Sequence, residues 1–253
     1  MNTSANVVPL QSSDESQLRI DLAAALRLAA YYDWHEGVAN HFSAAVSPDG
    51  RRFLVNPRWK HFSRARASEL LLVDADDPDT MKREDAPDPS AWAIHSAIHR
   101  RVAHARVVLH LHPPYATTLA TLKGPSIKPV DQVTARFFNR LAMDMEFGGI
   151  ASEEAEGERI AATIGNHSSV MMANHGVTTV APTIAEAFDA MYHLERAART
   201  MVLAYSTGQP LNVMNDELAE SVAREWDVYK DAEFSHFAEM KTVLDRKNPG
   251  YAE

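Results

Sequence analysis

The chain has 253 residues, 34 acidic against 25 basic side chains, a net charge of −9 with histidine neutral, and no cysteine. The missing thiol excludes a disulfide framework, an iron–sulfur cluster, a cysteine-ligated zinc site and a thiol nucleophile, so any metal must be held by nitrogen and oxygen. The acidity disfavours nucleic acid as a partner, and the twelve histidines are the chemical resource that remains.

Residues 1–16 are polar and aperiodic and read as a disordered tail, without the charged start and apolar stretch of a signal peptide. No apolar run approaches the roughly 20 residues that cross a bilayer, so the expectation is a soluble cytoplasmic protein with no membrane partner. Residues 17–253 read as one domain. Gln17–Tyr32 has helical periodicity, with Leu18, Leu22, Leu26 and Ala29 on one face. HFSAAVS and RFLVN, joined by Pro48-Asp49-Gly50, read as two short strands, and Ser68–Asp74 as a third. The charged, proline-punctuated stretch that follows reads as a surface loop. Ser90 is expected to cap a helix over AWAIHSAIHRRVAH. Arg106–His112 (RVVLHLH) reads as a buried strand ended by Pro113-Pro114, and YATTLATL as the helix that those prolines start. Next come a helix over Ser152–Ile164, a strand over Ser169–Ala173, a turn at Asn174-His175-Gly176 and a strand over Val177–Val180. Thr183 caps a helix running to about Ser206, and two amphipathic helices close the chain. Strands alternating with helices predict a single α/β domain.

Alternation along a strand puts His110 and His112 on one face with Val108, opposite Val107, Leu109 and Leu111. Two imidazoles there are costly to bury unless something binds them, and the strand end is where α/β sites gather. Metal ligation and a hydrogen-bonded pair both fit that spacing. His175 sits at a second strand end, in a corner where Gly176 is expected to supply a backbone conformation closed to other residues. Together the three offer the three-ligand set of a catalytic metal site with open positions. His95 and His99 are four apart on one helix but lack the glutamate of a catalytic HExxH pair. His35, His41 and His61 lie in the loop-rich first third and are candidates to line a pocket.

The runs FLVNPRWKHFSRARASELLLVD, WAIHSAIHRRVAHARVVLHLHPPYATTLATL and VMMANHGVTTVAPTIAEAFDAMYHLERAARTMV resemble the class II aldolase/adducin family from about Leu18 to Ser206. The ordered set is HxH, NHG about 60 residues on, and then a long helix carrying EAF and HLExAA. The resemblance implies a three-layer α/β/α fold around a central mixed or antiparallel sheet, and a homotetramer with sites between subunits. It also implies a divalent metal on His110, His112 and His175: zinc, with manganese or iron as alternatives.

The departures narrow the chemistry. Where sugar-phosphate members carry a catalytic glutamate before a tryptophan, this chain reads Pro89-Ser90-Ala91-Trp92, and Ala91 cannot move a proton. The arginine position of the family's phosphate motif is Ala45, and its second phosphate turn is Arg58-Trp59. An aldolase acting on a sugar phosphate is therefore not expected. The reading is a metal-dependent lyase, decarboxylating or retro-aldol, on a small non-phosphorylated carboxylate or carbonyl substrate. An iron(II) oxygenase on an aromatic or keto acid and a non-catalytic adducin-like module are the alternatives. Asp131, Tyr115 and His95 are the candidates for proton transfer or its support. Arg58, Lys60, His41 and Gln132 are the candidates for substrate contact.

Overall fold

The computed structural model describes residues 12–77, 79–124, 127–149, 153–229 and 231–253. Among the described residues the seven strands are β1 (His41–Ala45), β2 (Arg52–Val55), β3 (Leu71–Asp74), β4 (Val107–Leu111), β5 (Leu141–Asp144), β6 (Ser169–Met172) and β7 (Gly176–Ala181). They form one mixed sheet in the order β3-β2-β1-β4-β7-β6-β5, antiparallel except for the β5–β6 pair. The helices are α1 (Ser12–Tyr31), α2 (Pro89–Arg101), α3 (Pro114–Ala120), α4 (Gln132–Ala135), α5 (Glu154–Ile164), α6 (Ile184–Ser206), α7 (Asp216–Val228) and α8 (Ala232–Lys247). Most of the tail expected over 1–16 lies outside the described residues, and α1 starts at Ser12 rather than at Gln17. Among the described residues no helix is long and apolar enough to cross a membrane.

Strand alternation divides the core. Phe42, Ala44, Val107, Leu109, Leu111 and Val177 pack with α1, α3 and α6 on one face. Val108, Val170, Met172 and Val180 pack with Ile94, Ile98, Ile160 and Ile164 of α2 and α5 on the other. These are the α/β/α layers that the resemblance implies. The apolar stripe of α1 is buried at Leu22, Leu26 and Ala29, with Leu18 packed against the same core.

Local chemistry sets the ends of the elements. Thr183 caps α6 as expected, its side chain accepting the Glu186 N–H. Helix α2 begins earlier than expected: Asp88 accepts the Ser90 N–H at 2.9 Å, and Pro89 takes the first helical position, where a missing N–H costs nothing. Ser90 is thereby free for another role. In the corner before β7 the positive φ belongs to Asn174, at 56°, and not to Gly176. The expectation that Gly176 is needed for its backbone conformation is therefore corrected. A Cβ at Gly176 would instead lie 2.5 Å from the Leu111 carbonyl oxygen and 2.5 Å from the His112 ring, so this glycine makes room rather than a turn. α4 and β5 carry too short a pattern to stand out in the sequence.

Gly157 plays the same part for α2. A Cβ there would run into the carbonyl of Ala93, so the two helices cross where α5 has no side chain. Helix propensity alone would make Gly157→Ala stabilising by about 1 kcal/mol. Steric conflict with backbone reverses the sign, and urea denaturation should show a loss of about 1–3 kcal/mol. A gain in stability would contradict this packing.

Candidate metal centre

The register of three adjacent strands assembles the site. β1 pairs with β4 so that His41 faces His110, and β4 pairs with β7 so that His110 faces Thr178. His112 follows at the end of β4, and His175 projects from the corner just before β7. The three rings form a near-equilateral triangle, with centroids 5.1 Å (His110–His112), 4.9 Å (His110–His175) and 5.0 Å (His112–His175) apart. One ring nitrogen of each lies within 4.8 Å of the other two.

Outer contacts select those nitrogens. His110 Nδ1 meets the Thr178 hydroxyl at 3.1 Å, and His112 Nδ1 meets the Glu36 carboxylate at 2.5 Å. A carboxylate on Nδ1 fixes the tautomer and leaves Nε2 as the ligand, the arrangement that metal-bound histidines use. His112 Nε2 is buried and has no hydrogen-bond partner, a condition that costs about 1–3 kcal/mol unless something binds there. This orphaned nitrogen, the neighbouring imidazoles and the room left by Gly176 fit a divalent ion bound by nitrogen. Burial pushes His175 down to about 4 and holds His110 well below the usual histidine range, so both rings are the neutral form that ligates.

Glu195 secures the turn that carries His112. From α6 its carboxylate accepts the N–H groups of Tyr115 at 2.9 Å and Ala116 at 2.8 Å, at the start of α3. This is the physical content of the HLExAA run. The acid is buried, and burial pushes it up to about 7.

A cavity of about 800 Å³ opens over the triangle. His41 and Ser90 line it, together with Glu36, Asn40, Thr117 and Phe147. Behind His41 runs a buried chain of hydrogen bonds. His99 Nδ1–H donates to the Ala105 carbonyl at 3.0 Å, so its Nε2 accepts from the Ser43 hydroxyl at 2.7 Å. Ser43 in turn accepts from His95 Nδ1 at 2.5 Å, and His95 Nε2 accepts from His41 Nδ1 at 2.8 Å. His41 Nε2 is left as an acceptor facing Ser90 Oγ at 3.1 Å, and that hydroxyl also lies 2.5 Å from Asp88. Every donor has an acceptor when the three imidazoles are neutral.

The remaining candidates lie elsewhere in the chain. His95 is fully buried and reaches the cavity only through His41. Asp131 caps α4, accepting the Thr134 N–H at 2.7 Å, and its own N–H donates to the Thr134 hydroxyl at 2.9 Å. The Gln132 carbonyl accepts the Trp226 indole N–H at 2.8 Å. Tyr115 packs under the Arg199 guanidinium, 5.4 Å from its ring centre. Lys60 is paired with Glu69, and Arg58 is exposed on its turn. None of these six lines the cavity. Ala91 and Ala45 belong to a small buried cluster with Phe53, Val55 and Val73, so the two positions that depart from the family pattern are apolar core. Glu36 and Thr178 carry no signal in the sequence; only the folded register brings them to the imidazoles.

The neutral buried histidines make stability depend on pH. Burial pushes His41 and His99 down to about 3 and holds His95 well below its ordinary range. The unfolded chain takes up protons below about pH 6.5 that the folded chain does not. Stability is therefore complete above that pH and falls as pH drops, by up to about 1.4 kcal/mol per pH unit for each histidine. Glu195 works in the opposite sense over pH 4.5–7 and offsets about one of them. Urea denaturation of metal-free protein should show stability falling steeply from pH 7 to 5, and a flat profile would contradict the buried chain. Gly176→Ala should leave a folded protein whose zinc affinity is at least tenfold weaker by calorimetry, because the added methyl displaces the His112 ring. Unchanged affinity would refute the steric role.

Comparison with known proteins identifies the family and the fold. A protein of Caulobacter vibrioides named for the class 2 aldolases is 32% identical over 96% of this chain and 94% of its own length. The decarboxylase NovR of Streptomyces niveus is 27% identical over 82% of this chain and 75% of its own. The crystal structure of an aldolase II superfamily protein from Pseudomonas syringae superposes with a TM-score of 0.86 at 29% identity, covering 96% of this chain and 98% of that one. The profile of the class II aldolase and adducin N-terminal domain matches residues 20–202, and the chain belongs to that family.

Proposed function

We propose that this protein is a divalent-metal-dependent carbon–carbon lyase, a decarboxylase or retro-aldol enzyme, acting on a small non-phosphorylated carboxylate or carbonyl compound. The observation that carries the reading is the buried, unpartnered Nε2 of His112 inside a triangle of three imidazoles. His110, His112 and His175 hold the ion, zinc in the first place, with manganese or iron as alternatives. A divalent ion there supplies Lewis-acid stabilisation of negative charge on a substrate oxygen.

The chain's own groups do the rest. Glu36 and Thr178 keep the ligand rings in the required tautomer. Ser90, held between Asp88 and His41 Nε2, keeps a proton at the cavity wall where Ala91 offers none. His95 orients His41 from behind. The similarity to a decarboxylase supports the lyase reading. Asp131, Tyr115, Gln132, Arg58 and Lys60 lie outside the cavity of one chain, so a part for them in the site belongs to a homotetramer with sites shared between subunits.

His110→Ala or His175→Ala should abolish zinc, manganese and iron uptake in elemental analysis while the circular dichroism spectrum stays that of the wild type. Glu36→Ala should keep the metal but bind it about 10–100-fold more weakly. Full metal content in either histidine variant sinks the assignment. Absence of uptake by the wild type turns the reading to a non-catalytic adducin-like module. Iron found together with a dioxygen requirement turns it to an oxygenase.

A further inference from the structure

Helix α3 starts without the usual means of satisfying its first N–H groups. It follows Pro113, which stands at the capping position and makes no side-chain hydrogen bond. Pro114 has no N–H, but those of Tyr115 and Ala116 need acceptors. Both find one in a residue far along the chain. Glu195 of α6 accepts the Tyr115 N–H on Oε1 at 2.9 Å and the Ala116 N–H on Oε2 at 2.8 Å. One carboxylate thus takes the place of a capping side chain, and both of its oxygens are used.

α3 is a strut between two of the three imidazoles. Pro113 and Pro114 alone separate His112 from the capped N–H groups, and their rings fix φ at both positions. At the other end the Ala120 carbonyl accepts the Asn174 N–H at 3.1 Å, one residue before His175. A shift of α3 is therefore passed to both segments that carry these rings.

The two protonation states of Glu195 hold α3 differently. Ionised, it accepts from both N–H groups but keeps a charge at a residue only 7% exposed. Protonated, it loses the charge, but its O–H is a donor set against a donor, and one N–H is left without an acceptor. The two costs oppose each other, and burial pushes the acid up to about 7. It is ionised above that pH and protonated below it. Arg199, exposed one turn further along α6, favours the ionised form and lies over the Tyr115 ring at 5.4 Å. On this face of the sheet β4 and β7 present Leu109, Leu111 and Val177, which do not titrate. Tyr32 of α1, His236 of α8 and Arg136 after α4 meet α6 at Tyr192 and Asp189, before Glu195 is reached.

We propose that Glu195 is a positioning residue for the three-imidazole centre and that its ionisation couples metal binding to pH: the carboxylate fixes α3 between His112 and His175, and the carboxylic acid releases it. This rests on the metal reading above and adds a proton-linked control by a group that does not touch the ion. By reciprocity, a bound ion lowers the proton affinity of Glu195.

Two measurements test this. In metal-free protein the amide proton shifts of Tyr115 and Ala116, followed by NMR, should titrate together near pH 7. They should be flat in Glu195→Gln, whose amide presents an N–H where the acid presents its O–H. Arg199→Gln should move the inflection up by about half a pH unit. Zinc affinity, by competition calorimetry, should be about tenfold weaker in Glu195→Gln than in the wild type at pH 8. At pH 6, where the wild-type acid is protonated, the two should agree within about twofold. Proton competition at the imidazoles acts on both proteins alike and cancels in that ratio, and a merely structural role would leave the ratio the same at both pH values. If Glu195→Gln does not fold, Arg199→Gln decides, because the pH at which zinc affinity falls should rise with the amide inflection. Amide shifts that do not titrate between pH 6 and 8, an affinity ratio independent of pH, or an inflection unmoved in Arg199→Gln overturns the proposal. Failure of the wild type to bind zinc at pH 8 overturns the metal reading instead, and is told apart because the amide titration needs no metal.

Discussion

Placing several imidazoles in the interior without charge is the constraint on which the rest of this structure depends. A buried histidine is tolerated when both ring nitrogens are satisfied or when one is reserved for a ligand. Here the β1–β4–β7 register meets that condition twice. It stacks His41 on His110 with ring centroids 4.8 Å apart, sets Thr178 against His110, and delivers His112 and His175 to the same strand ends. A one-residue slip in either pairing would turn these rings to the opposite face, against the large apolar core.

Secondary elements are placed to serve that register. α2 lies close to α5 because Gly157 has no side chain, and from there His95 and His99 reach Ser43 of β1. α6 contributes a buried carboxylate that holds the start of α3, and hence the turn after His112. Gly176 leaves space for the His112 ring. A second cavity, of about 900 Å³, lies at the opposite ends of β4 and β7. There the buried Asp189 carboxylate accepts from Arg136 at 2.8 Å and His236 at 2.8 Å. Arg136 and Arg140 there are ion-paired with Asp189 and Asp227, unlike the unpartnered atoms over the imidazoles.

The alanines at positions 45 and 91, where the resemblance implies a basic and an acidic residue, share one structural setting. With alanine at positions 45 and 91, both join one small apolar cluster, and the polar groups at the cavity wall come from their neighbours Ser90 and His41.

Much of the site was legible in the sequence because it is local. HxH before Pro-Pro fixes two rings on one strand face, and Asn-His-Gly places the third at a corner. Thr183, the apolar stripe of α1 and the alternation of β4 follow equally from short-range pattern. What is not local could not be read there. Glu36 is 76 residues from His112, Glu195 is 79 residues from Ala116, and Ser43 is 52 residues from His95. Asp131 and Lys60 have the right chemistry for an active site, but their side chains are taken by a helix cap and an ion pair. Sequence alone determined which residues are able to bind a metal, because that depends on side-chain chemistry and strand period. Tertiary structure decided which ring nitrogens face one another across the triangle, which polar groups are left without partners and which charges are absent from the described lining of the cavity, because these depend on long-range pairing that no short pattern encodes.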